Sequence, residues 1–249
     1  MISVDNKQRI LSVVNIFETG TPDGEYDDIS IFSDGKGNTR QITFGRSQTT
    51  EQGNLKQLIE SYIANKGMFS NDLKPYVDKI GVTPLVDDKA FIALLKRSAQ
   101  EDDIMIKTQD AFFDKVYYQP ALKFFTDNAF SYPLSMLVIY DSYIHSGRVL
   151  DFLRKRFPES PPSGGGDEKA WVKAYVTARH EWLSGKGNPL NKTIYRTEVF
   201  LTAIAAGDWN IGSPLVANGT RSRGLDDDNS GLIEIIPVRG YNRWGLRRR

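Results

Sequence analysis

The chain has 249 residues, 40% of them hydrophobic and 11% aromatic, with 32 Lys and Arg against 31 Asp and Glu for a formal net charge of +1. That length suits one large domain or two lobes around a sizeable core, and the charge balance excludes both a strongly basic nucleic-acid binder and an acidic disordered tail. With no cysteine, disulfides, thiolate metal sites and a cysteine nucleophile are excluded as well.

Met1 to Lys7 lacks a basic segment followed by an apolar stretch, so an intracellular protein or a mature form is expected. No run approaches the roughly 18 apolar residues of a membrane span, and no membrane partner is expected. Charge is nevertheless uneven along the chain. Asp23, Glu25, Asp27, Asp28 and Asp34 crowd one stretch, and Arg239, Arg243, Arg247, Arg248 and Arg249 close the sequence. The basic tail reads as a solvated terminus, and the acidic stretch as a surface able to face a cationic ligand.

Ile10, Leu11, Val13, Val14 and Phe17 recur at near-helical spacing after Asp5, which predicts a helix over Asn6–Phe17 with Asp5 as its N-cap and Glu18 at its C-terminal end. After a break at Gly20-Thr-Pro-Asp-Gly24, Ile29–Phe32 and Thr39–Phe44 flank Asp34-Gly-Lys-Gly-Asn as a hairpin. Helices follow at Leu55–Ile63, 88–98, 106–127 and 133–146, the last capped by Gly147. A short helix over Val149–Phe157 ends at a Pro, Ser and Gly loop, and others cover 168–184 and 192–206. Leu232–Ile236 suggests a strand, and there is no internal repeat. The expected class is α+β, mainly helical: one domain over 1–249, built as two lobes with a cleft between them.

Glu18 and Asp34 lie on two different rigid elements. Two such carboxyl groups suit glycoside hydrolysis, in which one protonates the leaving oxygen while the other activates water or attacks the anomeric carbon. A carboxyl desolvated at the end of an apolar helix suits the proton donor, and one on an open Gly-flanked turn suits the base. Taken alone, Asp34-Gly35 is also an ordinary turn former.

The surrounding residues carry more. Glu18, Tyr26, the run Asp34-Gly-Lys-Gly-Asn-Thr39 and the pair Phe44-Gly45 closely resemble the N-terminal signature of the family 46 chitosanases. The resemblance continues in order through Val116-Tyr-Tyr-Gln-Pro-Ala121, Ile139-Tyr-Asp141, Ala178-Arg179, and Arg196 followed by Val199-Phe-Leu201. It implies a lysozyme-like, two-lobed fold and an endo-acting enzyme that cleaves β-1,4-linked glucosamine with inversion, its two carboxyl groups roughly 6.5–9.5 Å apart. Glu18 matches the family's general acid, Asp34 its general base, and Thr39 the residue that helps hold the attacking water. Asp141, Arg179 and Arg196 match a buried ion network behind the acid; an Asp in an apolar run is costly to bury unless paired.

Substrate contacts are expected from Tyr26, Lys36, Asn54 and Glu51. Lys36 stands where the family has Arg, and Asn54 where it has an Asp that pairs with a glucosamine ammonium; Glu51 is near enough to replace that charge. The expected partner is the cationic polysaccharide chitosan, with no cofactor, no metal, a monomeric state and, from the family alone, an extracellular location. Glu18→Gln and Asp34→Asn are each expected to lower turnover by orders of magnitude and leave thermal stability nearly unchanged. Two alternatives stay open: a muralytic enzyme acting on peptidoglycan, and a carbohydrate-binding relative without activity. Asp226-Asp-Asp-Asn-Ser resembles the start of a calcium loop, but Pro237 stands where the bidentate Glu belongs. His145 and His180 are too few for a histidine metal site.

Overall fold

A computed structural model describes residues 2–46, 48–185, 187 and 190–224. In chain order these form helix α1 (Val4–Thr19), strands β1 (Ile29–Phe32), β2 (Gln41–Phe44) and β3 (Thr49–Thr50), and helices α2 (Leu55–Ala64) and α3 (Ser70–Leu73). Then come α4 (Lys89–Glu101), α5 (Asp103–Phe113), α6 (Gln119–Asp127), α7 (Pro133–Ser146), α8 (Asp151–Arg154), α9 (Glu168–Ser184) and α10 (Tyr195–Ala206). Strands β4 (Val216–Ala217) and β5 (Thr220–Arg221) close the described chain. The mainly helical α+β class is as the sequence implied. The chain divides into two compact units, one running up to Gly24 and again from Tyr117, the other spanning Glu25–Val116.

The first unit is organised by α7. Every residue from Pro133 to Ser142 is buried, which explains why this helix shows no polar stripe: it is surrounded rather than half-covered. It packs against α1, α6, α9 and α10. Helix α1 is capped by Ser3, whose Oγ accepts from the Asn6 amide at 3.1 Å, and ends at Gly20, whose φ of 85° suits a glycine C-cap. Asp5 is therefore a first-turn residue, and the expected N-cap shifts two positions upstream. Ile10, Val13, Val14 and Phe17 are buried, and this apolar run carries Glu18 into the interior in the last turn.

The second unit carries a three-stranded antiparallel sheet in the order β1-β2-β3, with Ile31 opposite Ile42 and Phe32 opposite Gln41. Helix α2 packs on α5, and α5 on α4. The hairpin has the expected strands, and the two residues of β3 are too short to leave an alternating pattern. Gly45, at the turn after β2, has a φ of 81°, and a Cβ there would collide with the Gln109 amide.

Two expectations on element length are corrected, and one element is added. The single helix over 106–127 is two helices with a π-turn at Asp114–Tyr118 between them: Pro120 has no N–H to give the carbonyl four residues back, and the backbone widens there. Helix α8 is shorter than Val149–Phe157 because the Arg154 guanidinium bonds the carbonyls of Phe157 and Glu159, fixing a non-helical exit. The β4–β5 hairpin was not expected from the sequence, although Asn218-Gly219 at its turn, both with positive φ, is a strong hairpin pair. The suggested strand Leu232–Ile236, the Asp226 loop and the arginine tail lie outside the described residues.

Candidate active site

In the first unit, four helices each deliver one charged side chain to a line of alternating charges. Glu18 of α1 accepts from Arg196 of α10, Nη2 to Oε1, at 2.5 Å. The other terminal nitrogen of Arg196 meets Asp141 Oδ1 of α7 at 2.6 Å, and Arg179 Nη1 of α9 reaches Asp141 Oδ2 at 2.7 Å. All four side chains are at most 1% exposed. Any one of them alone would cost several kcal/mol to bury, so the alternation of two anions with two cations is what makes the cluster tolerable. Burial works against the charge of Arg196, but Glu18 first, then Tyr195 and Asp141, outweigh it and raise its pKa above the arginine value. The Tyr195 hydroxyl donates to the Phe17 carbonyl at 2.9 Å, and that of Tyr175 to Ser142 Oγ at 2.9 Å. Among the described residues, Glu18 Oε2 has no hydrogen-bond partner. One carboxyl oxygen is thus fixed and the other is uncommitted, as a proton donor requires.

In the second unit, Asp34 and Thr39 are exposed on the β1–β2 turn. The loop closes on itself through Gly35 N to Thr39 O at 2.9 Å and Asn38 N to Gly35 O at 3.0 Å. Each glycine has its own reason. A Cβ on Gly35 would lie 2.6 Å from both Gln52 Nε2 and Thr39 Oγ1, and Gly37 has a φ of 66°. Asp34 Oδ1 accepts from Gln41 Nε2 at 2.9 Å, and Gln41 Oε1 accepts from the Gln52 amide at 3.0 Å. The Gln52 side chain accepts from Lys36 N at 2.7 Å and donates to Thr39 Oγ1 at 3.0 Å, and that hydroxyl donates to Lys36 O at 3.0 Å. Neither glutamine belongs to a motif, and only the placement of Gln41 at the start of β2 could have hinted at one of them.

The expected substrate contacts separate. Lys36 is exposed on the same loop. Asn54 is half-buried at the N-cap position of α2, and its backbone carbonyl accepts from Leu58 N at 3.1 Å. Glu51 is turned into the fold: it is 4% exposed, with Oε1 accepting from Leu85 N at 2.9 Å and Oε2 from Ile42 N at 3.2 Å. Its carboxylate ties β2 to the 85–86 segment instead of facing solvent. Tyr26 donates to Asp110 Oδ1 at 2.9 Å, and Arg46 Nη1 meets the same oxygen at 3.0 Å. Burial, and after it the balance of Arg46 against Asp110, leaves the Tyr26 pKa raised. Of the aromatics able to stack on a sugar, Trp171 and Tyr118 are core residues, while Trp182 meets Phe152 edge-on near the surface. His180 Nδ1 pairs with Thr197 Oγ1 at 2.9 Å, and among the described residues no three His, Cys, Asp or Glu side chains are grouped to hold a metal ion.

Comparison with known proteins points one way. The sequence profile of glycosyl hydrolase family 46 matches residues 12–215. A chitosanase of Bacillus subtilis (strain 168) is 27% identical over 234 residues, covering 86% of this chain and 82% of that protein. Native chitosanase from Bacillus subtilis MY002 superposes with a TM-score of 0.75 at 23% identity, over 88% of this chain and 97% of the other. A Gynuella sunshinyii family 46 chitosanase, in complex with chitotetraose, gives 0.73 at 18% identity, over 96% of this chain and 100% of the other.

Proposed function

The chain belongs to glycosyl hydrolase family 46, and from that premise we propose that it is an endo-acting chitosanase that hydrolyses β-1,4 bonds between glucosamine units with inversion. The observation that carries this reading is the contrast between two carboxyl groups: Glu18, buried with one oxygen bound to Arg196 and the other without a hydrogen-bond partner among the described residues, and Asp34, exposed on a glycine loop with Thr39. Glu18 Oε2 gives its proton to the glycosidic oxygen as the bond from that oxygen to the anomeric carbon breaks. A water attacks the same carbon from the opposite face and passes one proton to Asp34, so the product forms as the opposite anomer. While Glu18 carries the proton it is to donate, the Glu18, Arg196, Asp141 and Arg179 cluster holds one excess positive charge; once the proton is given, the balanced alternation of two anions and two cations is restored. Proton donation therefore relieves a buried imbalance, which favours the forward step.

Glucosamine as substrate is supported by relatives named as chitosanases, one of them a MY002 mutant complexed with 6 GlcN. Action outside the cell fits a polymeric substrate. Peptidoglycan is the second reading, favoured by Asn54, whose neutral amide cannot supply the ion pair that a carboxylate there would give a glucosamine ammonium. The deciding experiment is hydrolysis of glucosamine hexamer followed by NMR of the fresh reducing ends, with cell-wall sacculi in parallel and Glu18→Gln as control. Early α-anomers from the hexamer, absent in the control, are expected. Early β-anomers would overturn inversion, and release from sacculi alone would transfer the reading to peptidoglycan.

A further inference from the structure

We infer that Gln41 and Gln52 are positioning residues for the hydrolytic water, a step that rests on the reading of Asp34 as the base. Gln41 is 5% exposed in β2, and a buried amide is tolerated where both its ends are bonded. Here both are: Nε2 to Asp34 Oδ1 and Oε1 from the Gln52 backbone amide. The orientation is unambiguous, because a flipped amide would set NH2 against the Gln52 N–H and its oxygen against the carboxylate. Asp34 is thereby held by one oxygen, and among the described residues Oδ2 is the one left to meet water.

Gln52 does the same for the hydroxyl. Its Oε1 is fixed by the Lys36 amide, so its NH2 must face Thr39 Oγ1. Thr39 in turn spends its single hydrogen on the Lys36 carbonyl. A hydroxyl has one donor and two acceptor sites, and two of these three are now used. What remains is one acceptor site, so a water bound to Thr39 must donate to it. If that water donates its other hydrogen to Asp34 Oδ2, both of its protons are engaged and its lone pairs are left for the anomeric carbon. As the new C–O bond forms, the proton facing Asp34 transfers and the other stays on the product hydroxyl. A Thr39 hydroxyl of the opposite polarity would compete for the attacking lone pair.

The test uses the full chain, glucosamine hexamer and the variants Gln41→Met and Gln52→Met, each alone and combined with Asp34→Asn. Expected is a fall in kcat of about 10- to 100-fold for each single variant, with KM changed by less than about twofold. In the Asp34→Asn background the same changes should add less than about threefold, because residues acting through one group are not additive. Gln52 is exposed, so Gln52→Met keeps its melting temperature and decides the matter even if Gln41→Met folds poorly. Single variants with undiminished kcat, or a loss in melting temperature alone, overturn the inference, as does a full additive loss in the Asp34→Asn background. If Asp34→Asn itself turns over normally, the role of Asp34 falls and the positioning role falls with it. If Asp34→Asn is inactive and both glutamine variants are fully active, only the positioning role falls.

Discussion

Glu18 and Asp34 are assigned to one reaction, yet the protein holds them by opposite means. Glu18 is 1% exposed at one end of a line of four full charges that runs through α10, α7 and α9. Asp34 is exposed, and its bound oxygen meets the neutral amide of Gln41. At the acid end, therefore, function and stability share the same bonds, since any change in charge is felt by a buried network. At the base end they are separable, because an exposed loop closed by hydrogen bonds between neutral groups can lose its chemistry and keep its fold.

Arg196→Met is the largest test of this contrast. It leaves Glu18 and Asp141 buried with only Arg179, and should cost about 3–5 kcal/mol in denaturant unfolding, together with turnover. Loss of turnover at undiminished stability would mean that the network is not what keeps these carboxylates buried. Next comes the comparison of Glu18→Gln with Asp34→Asn. Both should lower kcat on glucosamine hexamer by about 10²–10⁴-fold. Glu18→Gln leaves one uncompensated buried positive charge and should also cost roughly 1–3 kcal/mol, whereas Asp34→Asn should stay within about 0.5 kcal/mol. The sequence had suggested unchanged stability for both; the Arg196 contact changes that expectation for Glu18. Equal unfolding free energies for the two variants would erase the distinction between the two carboxyl groups.

How much of this was legible beforehand differs by type of signal. The apolar spacing in α1 is strong enough to place Glu18 in a last turn, and Asp34-Gly-Lys-Gly-Asn-Thr39 declares a turn between two strands. Asp141 within Leu137-Val-Ile-Tyr-Asp141 announces a buried charge that needs partners, though only the resemblance named Arg179 and Arg196. Gln41 and Gln52 were not legible. A glutamine acts here through the orientation of its amide, which depends on the Gln52 and Lys36 backbone groups meeting it, and no spacing rule encodes that. Glu51 shows the reverse: an acid in a suggestive place, with both oxygens taken by backbone amides that are 9 and 34 residues distant in sequence. The π-turn near Pro120 was hidden because periodicity continues on both sides of it.

A third carboxylate sharpens the comparison and gives the smallest expected effect. Asp102 is 8% exposed at the N-cap of α5. It is held by neutral donors: Ile104 N at 2.9 Å, the Tyr62 hydroxyl at 2.6 Å and Met68 N at 2.7 Å. Burial pushes its pKa up, and the three hydrogen bonds together outweigh burial and hold it below the usual carboxylate range. Its contribution to stability is therefore fully present above about pH 4 and lost as the pH falls through the lowered folded pKa. Tyr62→Phe removes one of the three donors and should narrow the gap between folded and unfolded pKa values. The acid-dependent part of stability, measured by denaturant unfolding between pH 5 and pH 2, should then shrink by about 1 kcal/mol. An unchanged or steeper acid dependence in the variant would count against this account. If the effect is as small as expected, neutral donors suffice to keep a carboxylate buried and ionised in this protein. The Arg196 guanidinium beside Glu18 then does more than permit burial, in keeping with the proposed role of Glu18 as a carboxyl group that changes charge during the reaction.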